Sequence, residues 1–217
     1  VALVGPLAGE EDAFAEIASV RVPWATGELP SFEGVRFGPR GAPDVASADR
    51  ALAAYRTWAE RAGGQAAALA GEAAWTPERR FDRAFERLAL PGLGRGQRYE
   101  FLLTTGALGL ADLRAAALHL LGADRDPAVV AAKRVFGIGD LLLVARRAAD
   151  LATACALPAA ALDLALVNWG RRTDDPQAPR ITCGSTADPD PDALDLACEA
   201  LEIPGDEPED AEDPQDA

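Results

Sequence analysis

Residues 133–143 read KRVFGIGDLLL, and this stretch decides the fold. An apolar, basic helical run ends at Gly137-Ile138-Gly139, and Leu141, Leu142 and Leu143 resume the apolar pattern beyond Asp140. Glycine accepts the left-handed backbone angles that close a helix, and it leaves the main chain open to close approach. The stretch therefore reads as helix, two-glycine turn, helix, with Ile138 plugged between the two helices. LALPGLG at residues 88–94 repeats the device, with Leu93 in the middle place.

Working outward, the same 3.6-residue period recurs along most of the chain. Glu10 to Val20 puts Phe14, Ile17 and Val20 on one face. Residues 21–46 carry Pro23, Pro30, Pro39 and Pro43 and predict a long ordered loop over the core. Ser47 is expected to cap a helix with Leu52, Tyr55 and Trp58 inward, stopped by Gly63-Gly64. Thr76-Pro77-Glu78 is a helix start of hydroxyl cap, first-turn proline and acid, followed by Phe81, Phe85 and Leu88. Further helices are expected over 96–105, over Leu110–Leu121, from Asp126-Pro127 to Phe136, over Leu141–Ala156, and from Pro158 to Gly170. No alternating β-branched run appears, so the body is expected to be all-α.

This pattern divides the chain into an N-terminal helix and wrapping segment (1–46), a helical domain (47–184) and an acidic tail (185–217). One last short helix is expected over 191–203, and GDEPEDAEDPQDA beyond it is too charged to fold. The tail also accounts for the charge. Of 35 acidic residues 13 lie in 185–217, where there is no Lys or Arg, leaving 22 acids against 21 bases in the rest. A net charge of −14 thus does not exclude nucleic acid as a partner of the body. No apolar run reaches the roughly 20 residues of a membrane span, and no secretory leader is visible. Cys155, Cys183 and Cys198 fit neither a disulfide framework nor a zinc site, which points to a reducing cytoplasm.

The amides that start the second helix of each hairpin lack helical partners and sit at the positive end of its dipole, a natural place for a phosphate oxygen. Lys133 and Arg134 precede the Gly137–Gly139 turn, and Arg95 follows Gly92 and Gly94. The competing reading of each triplet is a turn that needs only glycine geometry, and Asp140 competes as a helix cap. His119, the sole histidine, supports neither a metal site nor a Ser-His-Asp or Cys-His arrangement and reads as a helix-face or core residue. Arg79, Arg80, Arg83 and Arg87 alternate with Glu78, Asp82 and Glu86, which predicts intrahelical pairs.

Residues 131–170, AAKRVFGIGDLLLVARRAADLATACALPAAALDLALVNWG, resemble the helix-hairpin-helix segment of the DNA base-excision glycosylase superfamily. The closest likeness is to the actinobacterial branch grouped with alpha-glutamyl/putrescinyl-thymine pyrophosphorylases, over residues 30–172. The resemblance implies an all-α, two-lobed fold, a duplex gripped at the hairpin, and a carboxylate facing a flipped base. Gly137 and Gly139 match the hairpin glycines, and Asp163 matches the essential carboxylate at a somewhat longer spacing. Asn168 and Trp169 are the candidates for reading and stacking on the base, with a core role the alternative for Trp169. No lysine follows the hairpin, so β-lyase chemistry is not expected, and three cysteines exclude a four-cysteine iron–sulfur cluster. The expectation is a cytoplasmic protein, nucleoid-associated if it binds DNA, without metal or cofactor. It would bind double-stranded DNA and recognise, or hydrolyse, a modified base such as a hypermodified thymine. Two rivals stand beside it, namely a non-catalytic helix-hairpin-helix DNA-binding module and an all-α protein-interaction domain.

Overall fold

The computed structural model describes residues 2–5 and 13–170, and every regular element among them is helical. The elements are α1 (Ala13–Ser19), α2 (Val45–Arg61), α3 (Gln65–Ala70), α4 (Pro77–Arg87), α5 (Arg95–Ala107), α6 (Pro127–Phe136), α7 (Leu141–Ala154) and α8 (Ala159–Gly170). A single 3-10 turn, Trp24–Thr26, interrupts the loop between α1 and α2. The helix and tail expected beyond residue 170 lie outside the described residues.

Most helix starts follow their local chemistry. Thr76 caps α4 with Pro77 in its first turn, and Asp126 caps α6 with Pro127 in the same place. α2 begins earlier than expected: Asp44 is the cap, and Ser47 only donates its amide to that carboxylate. Gly137 (φ +63°) ends α6, with the Gly137 and Ile138 amides returning to the carbonyls of Arg134 and Lys133. This is the reverse turn that a left-handed glycine permits after a helix. α3 was not expected from the sequence.

Packing forms three apolar clusters. Phe81, Phe85, Leu88, Tyr99 and Leu102 close α4 onto α5, with Trp58 of α2 at the margin. α6 packs chiefly on α8 and then α7, burying Val129, Val144, Leu162 and Leu166. Val4, Phe32, Ala42 and Ala48 make the third, which holds the N-terminal segment against α2.

That last contact is unusually close. The Gly38 amide bonds the Val4 carbonyl at 2.7 Å and the Ala42 amide the Leu3 carbonyl at 2.7 Å. A Cβ on Gly41 would stand 2.3 Å from the Val4 oxygen, so only glycine lets the two backbones meet.

One expected helix is absent. Residues 108–126 form no regular element, and Leu110–Leu121 runs as an irregular strap across α4 and α5. Leu118 and Leu120 are buried while Leu110 and Leu121 are exposed, so the apolar residues do not share a helical face. The strap's carbonyls explain the outcome. Ala117 accepts from the Tyr99 hydroxyl at 3.1 Å, and Leu118 and His119 accept from the Arg95 guanidinium. A helix over 110–121 would spend the Ala117 carbonyl on its own amides, and the left-handed backbone of His119 (φ +52°) departs from a helix as well.

Candidate functional site

The strap, α5, α6 and α8 converge on a buried charge cluster. Asp163, in the second turn of α8 between Leu162 and Leu164, is fully buried. A carboxylate in that position costs several kcal/mol unless it is paired. Here both its oxygens are taken: Arg40 Nη2 donates to Oδ2 at 2.5 Å and Arg95 Nη2 donates to Oδ1. Arg95 then reaches Asp126 through Nη1 at 3.2 Å, and its Nε and Nη2 serve the Leu118 carbonyl. Arg40 also lies 3.9 Å from Glu100. Every guanidinium nitrogen of Arg95 therefore has an acceptor, but Arg40 Nε is buried with none.

Arg40 and Arg95 line a cleft of about 860 Å³. Its walls are residues 37–43, the first turn of α5 and residues 122–127, with Val167 of α8 behind them. Arg98 and Arg125 also line it, as do Asp124 and Asp126. Arg98 lies over the Phe85 ring at 4.3 Å and donates Nη1 to the Phe85 carbonyl, while its buried Nε has no partner. Burial, and then repulsion from Arg95, push the Arg98 pKa down. Asp124 is held by Lys133 at 2.6 Å.

His119 stands beside this cluster with a left-handed backbone (φ +52°) and stacks on Phe85 at 4.3 Å between ring centroids. Its Nε2 lies 3.1 Å from the Asp82 carboxylate. Burial outweighs that carboxylate and pushes the imidazole pKa down, so the ring is a neutral core residue at neutral pH.

The sequence-derived sites separate into two groups. Gly137 and Gly139 are exposed in the α6–α7 turn, with nothing within 4 Å of where a Cβ would stand. Ile138 is partly buried against the α6–α8 core. Asp140 caps α7 by accepting from the Leu142 and Leu143 amides at 2.8 and 3.3 Å. Among the described residues the Gly139, Asp140 and Leu141 amides bond to nothing. Arg134 is exposed, and Lys133 is engaged with Asp124.

Asp163 is not with them. It is tied through Arg95 to Asp126, the N-cap of α6, and Gly137 is the C-cap of that helix, 11 residues on. At 1.5 Å per residue the two caps are about 16 Å apart. Asp163 is fully buried, paired at both oxygens and absent from the cleft lining, so the expectation of a cleft-facing Asp163 is corrected. Arg95 is corrected likewise: it points inward, only 4% exposed, rather than toward a phosphate. Gly92 (φ +80°) serves packing, because a Cβ there would lie 2.9 Å from the Ser47 carbonyl of α2. Gly94 is the N-cap of α5 and opens on the cleft. Trp169 is 56% exposed at the end of α8, not in the core, and neither it nor Asn168 lines the cleft.

Of the α4 arginines only Arg83 pairs within the helix, with Glu86; Arg80 reaches Asp112 in the strap, and Arg79 and Arg87 lie over Trp75 and Trp58. Among the described residues no group of three or more His, Cys, Asp or Glu is placed to hold a metal ion, and no single helix is long and apolar enough to cross a membrane. Comparison with known proteins finds no matching family model, curated protein or solved structure.

Proposed function

We propose that this chain is a helix-hairpin-helix DNA-binding protein that grips the duplex backbone at the α6–α7 turn without chemistry on the base. The observation that carries the reading is the turn itself. Ile138 anchors it in the core, Gly137 and Gly139 leave its outer side bare, and three successive amides, those of Gly139 to Leu141, have no acceptor among the described residues. Amides at a helix start, with no side chain in the way, suit a phosphate oxygen. Asp140 opposes this with its own charge, and exposed Arg134, Arg146 and Arg147 offset it. Contacts of this kind position a duplex and carry little sequence information. Asp163, held by two guanidiniums, is not free to act on a base.

The test is a fluorescence anisotropy titration of the full chain with labelled duplex carrying 5′-hydroxyl ends, at low salt. Binding should weaken steeply as salt rises. Gly139→Glu places a carboxylate where the phosphate docks, at a position with open space and no positive φ, and should abolish binding while leaving the fold intact. Absence of binding by the wild type, or equal binding by Gly139→Glu, would refute the proposal.

A second reading is favoured by Leu142 and Leu143, 67% and 50% exposed directly after the turn. Two adjacent exposed leucines suit a protein partner, and failure of the duplex titration would leave that reading the better one.

A further inference from the structure

We propose that the cleft above Arg40 and Arg95 is a binding site for a phosphate monoester, whose phosphate sits against the N-terminus of α5. α2, α4, α6 and α7 carry side-chain caps, from Asp44, Thr76, Asp126 and Asp140. α5 does not: its N-cap is Gly94, with no side-chain bond, and its first turn faces the cleft. Among the described residues the Arg95, Gly96 and Gln97 amides donate to no acceptor. The 13 residues of α5 supply a full helix dipole behind them.

A second observation, independent of the helix end, points to the same place. Arg40 is only 8% exposed, lines the cleft, and holds a buried Nε without a partner. Arg98 lines it too with a second orphaned Nε, and no carboxylate hydrogen-bonds it among the described residues. Arg125 stands exposed at the rim and forms no ion pair among them.

Most carboxylate oxygens nearby are engaged, while Asp126 Oδ2 stands beside Gly96, 3.5 Å from where a Cβ would be. Asp124 binds Lys133, Asp126 Oδ1 caps α6 and holds Arg95, and Asp163 is closed off beneath. Glu100 lies 3.9 Å from Arg40. Guanidiniums arranged around open helix amides match a tetrahedral dianion better than a planar monoanion. The volume, about 860 Å³, accommodates more than the phosphate, and Phe37, Pro43 and Val167 offer an apolar wall to the esterified body. The ester is either a free small molecule or a phosphorylated DNA end, and the two share this chemistry.

The site lies at the opposite end of α6 from the hairpin, so it does not rest on the DNA-binding proposal. Thermal unfolding and isothermal titration of the full chain would use inorganic phosphate, adenosine monophosphate and adenosine at matched ionic strength. Phosphate and the monophosphate should raise Tm and bind, and adenosine should do neither. Gly94→Asp gives α5 the carboxylate cap it lacks and should abolish that response. Arg125→Gln, at an exposed position, should weaken binding about tenfold, the loss of one charge-assisted contact.

A duplex with 5′-phosphate preferred over its 5′-hydroxyl form, with the preference lost in Gly94→Asp and kept in Gly139→Glu, identifies a DNA end as the source. Tighter binding of the monophosphate than of phosphate, with no such preference, identifies a small ester. No response of the wild type to either phosphate compound, or an equal response in both variants, overturns the proposal.

Discussion

Asp163 shows how a single residue changes meaning between sequence and fold. In the sequence it stands between apolar neighbours in a helix downstream of a glycine hairpin, which is where a reactive carboxylate is expected. Its partner Arg40 lies 123 residues away in a Pro/Gly loop, and Arg95 lies 68 away. Neither helical period nor spacing links positions so distant, so the pairing was not legible. Nothing in the sequence singles out Arg40 or Arg98 either. With hindsight the one available signal was the polar residue itself, since a charge on an apolar face needs a partner. Asp163→Asn strips the charge that balances two buried guanidiniums, and chemical denaturation should show a loss of about 3–5 kcal/mol. A loss under about 1 kcal/mol would mean that the pairing is ornamental.

At the scale of elements, what local chemistry specifies was readable. Thr76-Pro77, Asp126-Pro127 and the Gly137 turn all appear where capping rules put them. The failures have a common cause, tertiary demand. Leu110–Leu121 has helix-forming composition, but the Tyr99 hydroxyl takes the Ala117 carbonyl that a helix would use and His119 adopts a left-handed backbone. The reverse error at α3 reflects length, because a six-residue alanine-rich segment between glycines carries too little pattern to register. Gly106 tests how firmly the strap is held. In an isolated helix Gly→Ala stabilises by about 1 kcal/mol. In α5 the added Cβ would lie 2.5 Å from the Leu113 carbonyl. Gly106→Ala should therefore lower stability, by about 1–3 kcal/mol, with the strap amides exchanging faster in hydrogen-exchange measurements. A stabilised variant would show that the strap shifts freely.

For the whole molecule, charge is unevenly spread along the chain. Residues 185–217 hold 13 of the 35 acids and none of the 21 bases. A segment of that charge competes with phosphates for exposed arginines and repels a duplex at long range. Removing it should tighten duplex binding and steepen its dependence on salt, measured by the same anisotropy titration. Unchanged affinity would show that the acidic segment and the α6–α7 face do not compete.

The Arg40–Asp163–Arg95–Asp126 cluster has one more consequence, for the way the molecule comes apart. Its members belong to the loop packed with the Phe32 cluster, to the helix packed with Tyr99, and to two of the three helices of the Val129 cluster, α6 and α8. Peeling away any one of these units leaves a buried charge without its counter-ion, which costs more than the apolar contact alone. Partial opening is thus penalised relative to complete unfolding, and residues 2–5 and 38–170 are bound into one cooperative unit. In synthesis the order is fixed as well: Arg40 and Arg95 emerge first and wait for Asp163, so the body cannot lock until its last described helix has been made.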